Sequence, residues 1–82
     1  MPAQLSLYTR HGCHLCEDME RMLSELAMDL DFETEIIPID NNLELERGYG
    51  HRVPVLMMGD NVICEYFLDK AALISAVTKV KN

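Results

Sequence analysis

The chain has 82 residues, room for one compact domain over 1–82 and not for a second. Fourteen acidic residues against seven basic ones leave a formal net charge of −7, which repels a phosphate backbone and counts against nucleic-acid binding. An apolar share of 49% is too high for a disordered chain, no apolar run approaches the ~20 residues of a membrane span, and the opening Met1-Pro2-Ala3-Gln4 lacks the basic-then-apolar order of a secretory leader. The expectation is a cytoplasmic monomer that binds neither nucleic acid nor membrane.

Residues 4–8 alternate polar and apolar side chains, the pattern of a strand with one covered face. A polar loop follows and ends at Gly12. From His14 the period changes: Leu15, Met19, Met22, Leu23, Leu26 and Leu30 recur at three- and four-residue steps, predicting an amphipathic helix to about residue 30. Residues 32–39, with Ile36, Ile37 and Ile39, predict a second strand. Asp40, Asn41 and Asn42 can cap a short helix that Gly48 and Gly50 end. Residues 53–58 and 62–67 predict two more strands, joined as an antiparallel hairpin by the turn at Gly59, Asp60 and Asn61. Asp69 then caps a last helix whose apolar face is Ala72, Leu73, Ala76, Val77 and Val80, with Lys79 and Lys81 at its negative end. The order β-α-β-α-β-β-α predicts an α/β fold in which the first βαβ unit pairs its strands in parallel.

Three cysteines are present, at 13, 16 and 64. A secreted mini-protein held by disulfides carries an even and larger set, so the close pair reads as redox or metal chemistry. In His11-Gly12-Cys13-His14-Leu15-Cys16, the pair follows a predicted strand and opens a predicted helix. A thiol at a helix N-terminus faces unpaired backbone N–H groups and the positive end of the helix dipole, both of which favour the thiolate. Cys13 is thus the expected nucleophile. Cys16, one turn on, is placed to attack a mixed disulfide at Cys13. Arg10, His11 and His14 add positive charge nearby, and Glu17 and Asp18 oppose it. Cys64, inside a strand, reads as core packing, and so do Met19, Met22, Met57 and Met58. His11 and His51 read as loop residues, and His14 reads equally well as a solvated ring.

A strand, a Cys-x-x-Cys pair opening a helix, and Arg52-Val53-Pro54 about forty residues later together resemble the glutaredoxin-like branch of the thioredoxin superfamily, from residue 5 to about residue 80. The resemblance implies a thioredoxin-like domain of glutaredoxin type, with a central four-stranded mixed sheet flanked by helices. It implies a thiol–disulfide oxidoreductase acting on protein or low-molecular-weight disulfides and re-reduced by a reductase or thiol. It also implies a cis proline at Pro54 beside the cysteines, with the Val53 backbone pairing with substrate. No resident cofactor or metal is expected, and the resemblance brings in glutathione as a co-substrate. Cys-His-Leu-Cys matches neither the Cys-Pro-Tyr-Cys of familiar glutaredoxins nor the Cys-Gly-Pro-Cys of thioredoxins. The family's glutathione-holding Gly-Gly-x-Asp-Asp is replaced by Glu65-Tyr66-Phe67-Leu68-Asp69. Weak glutathione binding is therefore expected, with Arg10 and Arg52 as the best remaining anchors for a carboxylate. The competing reading is a thioredoxin-fold binding module, either a non-catalytic adaptor or one that ligates zinc or an iron–sulfur cluster through Cys13, Cys16 and outside ligands. A structural zinc ribbon would need four ligands of its own.

Overall fold

The first strand sets the frame. In β1 (Ala3–Thr9) Ala3, Leu5, Leu7 and Thr9 are buried, while Gln4, Ser6 and Tyr8 face the other way. In this computed structural model, which describes residues 2–80, β2 (Phe32–Pro38) lies parallel to β1, with Ala3 opposite Phe32 and Thr9 opposite Pro38. On the other side of β1 runs β3 (Val55–Met58), antiparallel, with Leu7 opposite Leu56 and Tyr8 opposite Val55. β4 (Asn61–Glu65) closes the sheet antiparallel to β3, giving the order β2-β1-β3-β4. The two-residue turn between β3 and β4 has Gly59 at φ +61° as its first central residue, a left-handed position that suits a II′ hairpin and that glycine takes without a steric penalty.

Among the described residues there are three helices, α1 (His14–Leu26), α2 (Leu43–Tyr49) and α3 (Lys70–Val80). Leu5 and Leu7 join Met19 and Leu23 of α1, Phe32, Leu56, and Leu73 and Val77 of α3 in one buried cluster, so α1 and α3 cover the same face of the sheet. The Tyr8 ring, on the opposite face, stacks on Tyr49 of α2 with centroids 4.1 Å apart and planes 12° from parallel. The Tyr49 hydroxyl also donates to Met57 Sδ at 3.4 Å. The result is the thioredoxin-like arrangement, a mixed four-stranded sheet with helices on both faces.

The element order agrees with the sequence, and the differences lie at the ends. α1 stops at Leu26 rather than near residue 30. The next bonds, Met28 N–H to Glu25 and Asp29 N–H to Leu26, are tighter than α-helical, and the last turn of α1 has no basic side chain. Leu30 kept the helical period because it packs on the same core from outside the helix. β3 begins at Val55, two residues late, since Pro54 has no N–H to offer a ladder. β4 ends at Glu65 because Tyr66 leaves the extended region, at φ +66°. Gly48 lies within α2, and Gly50 alone is its cap. The places predicted for Lys81 and for the Val80 side chain lie outside the described residues.

Candidate redox site

The cysteine pair sits where β1 hands over to α1. Gly12, at φ +73°, takes the left-handed conformation that turns the chain into the helix. Cys13 is then the N-cap: its backbone is extended, its carbonyl accepts the N–H of Glu17 at 3.1 Å, and its Sγ accepts the N–H of Cys16 at 3.1 Å. A sulfur in that position takes over one of the donors that every helix start leaves unpaired, and it lies at the positive end of the dipole. Cys16 is only 1% exposed, whereas Cys13 is half-buried. The two form a disulfide, with Cα atoms 5.2 Å apart. Beside it opens a cavity of about 320 Å³, with Arg10, Cys13, Cys16, Glu20 and Asp40 on its wall. The His14 side chain is 97% exposed and points to solvent, 3.8 Å from the Glu17 carboxylate.

Two further loops hold this one. Asp40 accepts the backbone N–H of His11 at 3.0 Å, and the N–H of Ile39 reaches the Thr9 carbonyl at 2.9 Å. Asn42 caps α2 by accepting the Leu45 N–H at 3.1 Å. At the other end of α2, Arg10 donates to the Gly50 carbonyl at 3.1 Å. A Cβ on Gly50 would collide with the Glu46 carbonyl oxygen and stand 3.2 Å from the Arg10 guanidinium, so only glycine fits.

Arg52 is more heavily engaged. Its Nε and Nη2 donate to the Gly48 carbonyl at 3.2 and 2.6 Å, its Nη1 meets Glu65 Oε2 at 2.7 Å, and its guanidinium lies 5.3 Å from the Tyr49 ring centroid. It therefore ties α2 to the end of β4, while Arg10, whose bond among the described residues is to the Gly50 carbonyl, lines the cavity. The Val53–Pro54 peptide is cis, Pro54 is buried and Val53 half-buried. Because Val55 stands opposite Tyr8, the loop before β3 and the cysteine loop after β1 leave the sheet at the same end. The Pro54 carbonyl accepts the Tyr66 N–H at 2.9 Å, and the Tyr66 hydroxyl donates to the His51 carbonyl at 2.6 Å, so the segment after β4 is fastened to the same end.

Cys64 stands apart, on β4 opposite Leu56, half-buried against the core. Burial pushes its thiol pKa up; a backbone N–H from Asp69 opposes that shift, and the Asp69 and Glu65 charges reinforce it. Among the described residues no three His, Cys, Asp or Glu side chains group so as to hold a metal ion. No described helix is long and apolar enough to cross a membrane. Tyr49, Glu65 and Tyr66 shape the site without having been singled out as site residues. Glu65 and Tyr66 were signalled only by standing where the family has its glycine-rich stretch, and Tyr49, at the end of α2, by nothing that points to the site.

The chain matches the family described as "Glutaredoxin-like domain (DUF836)" over residues 4–78. It belongs to that glutaredoxin-like family. Among solved structures, a Nitrosomonas europaea protein determined by solution NMR is 43% identical with a TM-score of 0.83, over 94% of this chain and 93% of that one. An X-ray structure of an X. campestris structural-genomics target is 29% identical with a TM-score of 0.73, over 92% and 96%. Uncharacterized proteins of Mycobacterium tuberculosis and Mycobacterium bovis are 33% identical over 60 residues, 67% of this chain but only 62% of their own length. This glutaredoxin-like chain therefore shares its fold across nearly its whole length with the solved relatives, and sequence similarity over part of its length with the mycobacterial proteins.

Proposed function

We propose that the protein is a thiol–disulfide oxidoreductase that cycles Cys13 and Cys16 between dithiol and disulfide. In the reduced protein the Cys13 thiolate attacks one sulfur of a substrate disulfide. A Cys13–substrate mixed disulfide forms, and the other substrate sulfur leaves as a thiolate that takes a proton from solvent. Cys16 gives up its proton and attacks Cys13 Sγ, which closes the Cys13–Cys16 disulfide and expels the second substrate sulfur. Two electrons pass from protein to substrate, and a thiol reductant, alone or through a reductase, restores the dithiol.

The observation that carries this reading is the N-cap: Cys13 Sγ accepts the Cys16 N–H at 3.1 Å at the start of a 13-residue helix, with Cys16 buried behind it. The half-buried sulfur at the dipole is suited to attack from outside, and the buried one to resolution from inside. Pro54, with Val53 before it, stands at the same end of the sheet and supports substrate docking there through the Val53 backbone. Glutathione is a poor fit as co-substrate. Arg52 already binds Glu65 and Gly48, which leaves Arg10 as the cation at the cavity, and Tyr66, Phe67 and Leu68 fill the stretch where glycines would let that ligand approach. The test is turnover of a small disulfide with excess reductant. Wild type is expected to be active and Cys13→Ser to be inactive while still folded; equal rates for the two would remove the reading.

A further inference from the structure

The described non-glycine residues with a positive φ are Asn41 and Tyr66. Asparagine tolerates that region, because its short side chain bonds to nearby backbone. A tyrosine does not. Tyr66 stands at φ +66°, and the Glu65 carbonyl accepts the Phe67 N–H at 2.6 Å, closing a three-residue turn around it. A positive φ inside such a turn is a rare and strained form, and the left-handed region costs a residue with a Cβ roughly 1–2 kcal/mol.

The bonds that hold this conformation lead to one place. The Tyr66 N–H goes to the Pro54 carbonyl at 2.9 Å, and its hydroxyl goes to the His51 carbonyl at 2.6 Å. One residue thus pins both ends of the segment 51–54. Between the pins, the Arg52 side chain is fixed by Glu65 at 2.7 Å and by the Gly48 carbonyl at 2.6 Å. Val53 differs from its neighbours. It is half-buried, and among the described residues neither its N–H nor its carbonyl makes a hydrogen bond. Backbone groups withdrawn from water are normally paired, so Val53 offers an open edge held still from both sides. Glycine at position 66 would make the turn without the penalty and keep the Pro54 bond. What tyrosine adds is the tie to His51.

We infer that Tyr66 is a positioning residue for the redox reaction: its hydroxyl, through His51, fixes the open Val53 backbone in the orientation that pairs with the substrate main chain. This rests on the redox reading above, in which Val53 docks the substrate. The hydroxyl acts through the loop and not on the reacting sulfurs, and fixing the loop in advance lowers the ordering cost of docking.

The experiment uses the whole, pre-reduced chain, a peptide disulfide, and the same peptide N-methylated at the backbone amides flanking its cysteine, with hydroxyethyl disulfide as a non-peptide control. Second-order rate constants are read by stopped flow for wild type, Tyr66→Phe and Tyr66→Gly. N-methylation is expected to slow wild type about tenfold, the scale of one or two lost hydrogen bonds. In both variants the penalty is expected to shrink to about threefold or less, because the edge it probes is no longer held; this coupling isolates the hydroxyl's action on the backbone pairing. The pH midpoint for Cys13 alkylation is expected to be the same in all three proteins. Tyr66→Phe removes one oxygen from a residue that is 42% exposed, Tyr66→Gly relieves the strained φ, and an NMR fingerprint checks both folds. A full N-methylation penalty in either folded variant, or a shifted Cys13 midpoint, would overturn the positioning role. No penalty in wild type would overturn it as well, while leaving the redox reading intact. Failure to reduce hydroxyethyl disulfide and the unmodified peptide would overturn the redox reading and this inference with it.

Discussion

The three thiols of this chain differ in burial and in what their sulfurs face. Cys13 is half-buried with its sulfur on a helix N-terminus, Cys16 is almost wholly buried, and Cys64 is half-buried with its pKa pushed up by burial. Alkylation follows thiolate and access together. In the reduced protein at mildly acidic pH, iodoacetamide is expected to label Cys13 first, as read by mass spectrometry of the digested chain. The raised Cys64 pKa gives the sign of its pH dependence: the neutral thiol persists to higher pH than usual, so Cys64 labelling should become appreciable only on the alkaline side. First labelling of Cys64 would contradict the assignment. Because Cys64 packs on the core away from the pair, Cys64→Ala should leave turnover intact and lower stability by about 1 kcal/mol, the usual size for a modest core truncation.

The site depends on α2 as much as on α1. Gly50 closes α2 against the Glu46 carbonyl and gives its own carbonyl to Arg10. Backbone cannot retreat as a flexible side chain can, so Gly50→Ala is expected to cost about 1–3 kcal/mol in urea unfolding, with reductase activity falling as the Arg10 tie loosens. A variant as stable as wild type would show that the close approach is relieved cheaply. How much of this was legible in the sequence follows from the range of each interaction. Alternation in residues 4–8 and the three-and-four spacing after His14 are local signals, and they located β1 and α1. The cysteine pair was readable because its strand-before, helix-after context is also local. The Arg52–Glu65 bond joins residues from two different elements, the Tyr8–Tyr49 stack joins a strand to a helix far along the chain, and neither has a periodic signature. The left-handed Tyr66 was unreadable for another reason: the residue type argues for a strand, and only the bonds to Pro54 and His51 hold it out of one.

For the molecule as a whole, the acidic balance and the bulky segment after β4 point the same way. A net charge of −7 disfavours an anionic thiol at long range, though salt screens this beyond about 10 Å. Coupled to glutathione at millimolar concentration, turnover is expected to be slower than when coupled to a thioredoxin reductase. Brisk glutathione-dependent turnover that collapses in Arg10→Ala would show instead that Arg10 anchors a carboxylate. The redox cycle at Cys13 and Cys16 is tested most directly by removing the resolving sulfur. Cys16→Ser, mixed with a peptide disulfide and mapped by mass spectrometry, is expected to hold one substrate half in a mixed disulfide at Cys13. A folded Cys16→Ser protein that forms no adduct, or carries it at Cys64, would contradict that cycle.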